Sequence, residues 1–159
     1  MRKPTDIRWL VEHAVAAGAI GLFAIGHFLP FGLHDNLNGW RLVTLVVEFF
    51  REFFGNVWAN KLPQGDWQEL FSVVCLPLFV IGVAGFFATA RSRPRIAGLI
   101  AAFSGLGSMG SMTFWWLTGI SSVPPAIFFS GFYVWFASMG LLFAAGVCKL
   151  EAVRKQPAI

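Results

Sequence analysis

The sequence predicts an all-α integral membrane protein: an antiparallel four-transmembrane-helix bundle, N-in and C-in, with an extra amphipathic helix in the long outer loop between helices 1 and 2. Three observations carry this. The 159 residues are 57% hydrophobic and 13% charged, with a mean hydropathy of +0.68, well outside the range of soluble domains. Four apolar runs, at about 9–30, 70–90, 96–120 and 126–150, approach or exceed the roughly 20 residues that cross a bilayer core. Lys and Arg gather in alternate connections: nine fall inside (Arg2, Lys3, Arg8, Arg91, Arg93, Arg95, Lys149, Arg154, Lys155) and three outside (Arg41, Arg51, Lys61). That bias predicts a bacterial inner membrane or a plasma membrane, with both termini cytoplasmic.

The first run follows a basic start, "MRKPTDIR", but its apolar part is long and no small-x-small cleavage site follows, so an uncleaved span is expected. Thr5 or Asp6 is placed to cap it, with Pro4 just outside, and Pro30 to stop it. His13, Ala17, Ile20, Ala24 and His27 share one face of it, so both histidines are expected to look toward other helices rather than lipid, with Gly18, Gly21 and Gly26 serving its packing. Between about 39 and 59, Arg41, Thr44, Glu48, Arg51 and Glu52 recur at spacings of three and four among Leu42, Val43, Val46, Phe49, Phe50, Phe53 and Val57. This is an amphipathic helix, and three charges in its middle argue against a fifth crossing. Phe49, Phe50, Phe53, Phe54 and Trp58 are its expected partner or lipid interface.

In the second span Cys75, Gly82 and Thr89 repeat at seven, and Pro77 predicts a kink. "RSRPR" separates it from the third span, which Pro94 opens. "SSVPP" separates the third from the fourth, where Gly131, Ser138 and Ala145 again repeat at seven, with Ser130, Ala137 and Ala144 beside them.

Residues 105–110, Gly-Leu-Gly-Ser-Met-Gly, match the glycine spacing of a dinucleotide-binding turn. Such a turn follows a strand and opens a helix toward pyrophosphate, whereas these glycines fall mid-span, where the backbone bonds to itself. Neither nucleotide nor nucleic acid is expected; the basic residues are dispersed rather than gathered on one face. Instead Ala97, Gly98, Ala101, Ala102, Ser104, Gly105, Ser108 and Ser111 occupy one side of the third helix, and Ile96, Leu99, Phe103, Leu106, Phe114 and Leu117 the other. The small side predicts close helix packing, with this helix at the centre of the bundle.

Candidate chemistry is sparse. His13 and His27 stand fourteen residues apart, about 21 Å along a helix, too far to ligate one haem together. His27 alone is a candidate axial ligand for haem or chlorophyll; with His34 and Asp35 it is the weaker candidate for an outer metal site. Cys75 and Cys148 read as small packing residues, with neither a disulfide nor a metal cluster expected. The serines accompany packing glycines without a charged neighbour, so no catalytic group is expected. The sequence therefore predicts a non-catalytic accessory or scaffold subunit, needing no cofactor, that meets the lipid bilayer and packs with other integral membrane proteins or in a homo-oligomer. The alternatives are a small homo-oligomeric channel or transporter with Ser104, Ser108 and Ser111 along its pore, and a haem- or chlorophyll-binding subunit using His27.

Overall fold

The computed structural model describes residues 4–29, 39–59, 74–119 and 130–155. Their regular structure is all helical, in five elements: α1 Pro4–Gly26, α2 Gly39–Trp58, α3 Cys75–Thr89, α4 Pro94–Gly119 and α5 Ser130–Arg154. Among the described residues, three stretches are long and apolar enough to cross a membrane: Trp9–Gly26, Pro94–Phe114 and Ser130–Arg154. α3 is apolar throughout but has 15 residues, about 22 Å at 1.5 Å per residue. The first part of the run expected at 70–90 lies outside the described residues.

Several helix ends differ from those expected. Pro4 is the first residue of α1 rather than its outside neighbour, a position where a missing N–H costs nothing. α1 closes at Gly26, before Pro30, and finishes in a tighter turn: the amides of His27, Phe28 and Leu29 reach the carbonyls of Ala24, Ile25 and Gly26 at 3.0–3.2 Å. Pro77 falls in the first described turn of α3, and the stretch before Val74 against which a kink would show lies outside the described residues. Arg93 N donates to Thr89 O at 2.8 Å, tightening the basic turn before Pro94 opens α4. α5 is described from Ser130, with 126–129 outside the described residues, and runs beyond Leu150 to Arg154, which brings Glu151 within the helix.

α5 packs against both α1 and α4, and α4 against α3. Ring contacts return from α3 to α1, where Phe23 stacks on Phe79 at 4.3 Å and His13 meets Phe86 at 5.5 Å. On the side of α4 expected to pack, seven of the eight small residues are buried and Ala102 is half-buried; of the other side, Ile96, Leu99, Phe103, Leu106 and Leu117 are exposed and Phe114 is half-buried. Backbone nearly touches backbone across α4 and α5. A Cβ on Gly105 would lie 2.5 Å from Phe143 N, one on Gly98 2.8 Å from Leu150 Cγ, and one on Gly146 would collide with Ala102 N. On the other side of α4, a Cβ on Gly82 of α3 would lie 2.5 Å from Ser104 Cβ.

Two expectations are corrected. The hub is α5, not α4, because α5 touches α1, α3 and α4; its buried Ser138, Ala145 and Gly146 leave room for neighbours on more than one side. The inward face of α1 is Glu12, Ala16, Ala19, Gly26 and His27, whereas Ala17, Ile20 and Ala24 are exposed. The stripe lies one residue earlier than the sequence pattern implied, a rotation of about 100°.

Candidate functional site

The N-terminal half of α1 and the C-terminal part of α5 meet in an ion pair. Lys149 Nζ donates to Glu12 Oε2 at 2.7 Å, and the side chains are only 8% and 4% exposed. The two residues are 137 apart in sequence and sit where antiparallel α1 and α5 come within reach. Burial removes water from both charges, so each is the other's necessary partner. Beside the pair lies a groove of about 270 Å³ lined by Ile7, Val11, Glu12, Cys148, Glu151, Ala152 and Lys155. Glu151 and Lys155 on its rim approach at 3.7 Å and are largely exposed. From the sequence, Lys149 counted toward topology and Glu12 was given no partner. The signal present in the sequence was a carboxylate and an ammonium, each placed toward one end of a long apolar helix.

At the opposite end of α1, His27 is buried among aromatic rings. Its Nδ1 is 2.7 Å from Phe23 O, one of the four terminal carbonyls that a helix leaves without an i+4 amide. With a carbonyl as partner, Nδ1 is the donor, and the side chain caps the helix that carries it. Phe23, Trp135 and Trp40 surround the imidazole with ring centroids at 4.7, 4.9 and 5.0 Å. The tautomer leaves Nε2 as the acceptor, the atom a metal would take. His13 makes the analogous bond to Trp9 O at 2.8 Å and stacks on the Trp9 ring. No cluster of three or more metal-ligating side chains occurs among the described residues; His34 and Asp35 lie outside them.

The serines of α4 turn inward. Ser104, Ser108 and Ser111 are all buried, and Ser111 is hydrogen-bonded with Cys75 of α3. Ser108 Oγ is buried with no hydrogen-bond partner among the described residues. Ser138 of α5 bonds back to Trp135 O at 2.6 Å. Cys75 is buried as expected, but Cys148 is exposed, because its position on α5 faces the groove rather than a neighbouring helix.

No protein-family model, curated protein or solved structure matches the chain. The site must therefore be read from its own residues.

The five aromatic residues expected to form one interface on α2 divide. Phe53 is buried (9% exposed), Phe49 and Phe50 are half-buried, and Phe54 and Trp58 are exposed (59% and 91%). Val43 packs against the core, and Trp40 against His27. Phe53 thus belongs to the side of α2 turned to the protein, and the free part of the stripe is shorter than the sequence pattern. α1 shows a second outward surface: Ala14, Ala17, Gly18, Gly21 and Ala24 are all exposed. Of the glycines expected to pack α1 internally, Gly26 does so against Trp135, and a Cβ on Gly18 would reach Leu141 Cδ1 of α5 at 3.8 Å, whereas one on Gly21 would meet nothing within 4 Å.

Proposed function

We propose that this chain is a non-catalytic integral membrane subunit with four spans, α1, α3, α4 and α5, both termini inside and α2 at the outer surface. It docks another membrane helix against α1, in a partner protein or in a second copy. The observation that carries this reading is the small-residue waist on the outward side of α1, flanked by the large exposed residues Leu10 and Val11 at one end and Ile25 and Phe28 at the other. In lipid no hydrophobic force joins helices, so association depends on close approach of backbones, which small residues permit. Only 22% of the Trp9–Gly26 stretch is buried within the chain, against 44% for Pro94–Phe114 and 39% for Ser130–Arg154. The inward burial of Ser104, Ser108 and Ser111 favours this role over an oligomeric pore lined by those serines. The charge bias and the apolar lengths support insertion in a bacterial inner or plasma membrane.

Gly21→Leu tests the reading, because the added side chain enters open space in the isolated chain. The purified variant should melt like the parent in mild detergent yet lose the proteins, or the second copy, that co-elute with the parent. Unchanged co-elution and oligomeric state would refute docking on α1. The absorption spectrum of the same preparation tests the haem or chlorophyll alternative: a pigment band that disappears in His27→Phe would replace the accessory role with a cofactor-binding one.

A further inference from the structure

α2 divides into three sectors. Its polar residues Arg41, Thr44, Glu48, Arg51 and Glu52 are all exposed along one side. Val43 and Phe53 are turned to the protein on the far side. Between these sectors runs a third, both exposed and apolar: Trp40, Val47, Phe54 and Trp58, spaced by seven, seven and four, so that they align on a helix of 3.6 residues per turn.

We propose that this third sector is a lipid-binding surface, seated in the outer interfacial layer of the bilayer, with the polar sector in water and the Phe53 side against the protein. A helix parallel to the membrane and abutting a transmembrane body faces these three environments, in this order around its axis. The stripe is also continuous with the outer end of α1: Trp40 meets Phe28 edge-on at 6.1 Å, and Phe28 is 75% exposed. A helix docked at the α1 waist crosses at an angle and has diverged from α1 by this end, which leaves Phe28 to lipid. Trp40 and Trp58, at the two ends of the stripe, have the amphipathic rings that settle at headgroup level. A docked protein is the competing occupant. The inference rests on the membrane-spanning reading above, and the experiment separates the two.

In full-length protein carrying Cys148→Ala, with Cys75 buried, a single spin label is introduced by Phe54→Cys, Trp58→Cys, Glu48→Cys, Arg51→Cys or Phe103→Cys. Each variant is reconstituted in phosphatidylcholine nanodiscs. Collision with oxygen, which partitions into lipid, is compared with collision with a water-soluble nickel chelate. Oxygen should dominate at positions 54 and 58, and nickel at 48 and 51. Nickel dominance at 54 and 58 places the stripe in water, and weak collision with both reagents places it under protein; either result overturns the inference. Phe103, exposed in the middle of α4, is the control. If oxygen dominates there but not at 54 and 58, only the α2 inference fails; if nickel dominates at 103, the spanning reading fails as well.

Discussion

Glu12→Gln removes one charge from the buried pair and leaves the Lys149 ammonium stranded among helices. At 2.7 Å and an effective dielectric of about 20, the attraction between the two charges is about 6 kcal/mol before desolvation is subtracted. Desolvating both groups offsets much of this gain, so the pair adds little over an apolar pair of similar size, but breaking it costs about 3–5 kcal/mol. For a chain of this length about 3 kcal/mol lowers the melting temperature by about 6 °C or more. The assay is a double-mutant cycle of thermal stability in one detergent: parent, Glu12→Gln, Lys149→Met and the double variant. The double variant should be more stable than Glu12→Gln alone, because the stranded ammonium has gone. If Glu12→Gln melts within about 1 kcal/mol of the parent, or if the two single effects simply add, the residues are not coupled and the pair does not hold α1 to α5.

Gly105→Leu should prevent stable packing of α4 on α5, since even a Cβ there would lie 2.5 Å from Phe143 N; a melting temperature equal to the parent's would contradict the close approach. Phe53→Ala should loosen α2 by about 3 kcal/mol and speed amide hydrogen exchange along Gly39–Trp58, whereas Phe54→Ala should leave exchange in detergent nearly unchanged. His27→Phe keeps a ring in the aromatic cluster and removes the bond to Phe23 O, so thermal melts should show a loss of about 1 kcal/mol. His27→Ala removes the ring as well and should cost clearly more; equal losses would mean that the ring contacts contribute nothing.

The helical class, three apolar crossing lengths, the span of α2 and the packing side of α4 were legible in the sequence. These are periodic or additive properties: length and apolarity summed along a run, and small residues repeating on one face of a helix. Helix ends were less legible. Pro30 was expected to end α1, but the chain turns from Gly26 onward, where His27 supplies the capping bond that proline cannot signal. The face of α1 was misread because both histidines were expected to point inward together. His27 does so, whereas His13 is half-buried and Glu12 takes the inward place.

What the sequence determined by itself, then, is what each segment is: apolar enough to leave water, periodic enough to be helical, and small on the side that can approach a neighbour. Which segment meets which was decided by the tertiary structure. It set Lys149 against Glu12 across 137 positions, made α5 the hub, and left the glycine at 21 facing outward. The physical reason is that a helix carries its periodicity locally, but rotation about its axis and the choice of neighbour follow from close packing and charge pairing, which exist only between segments.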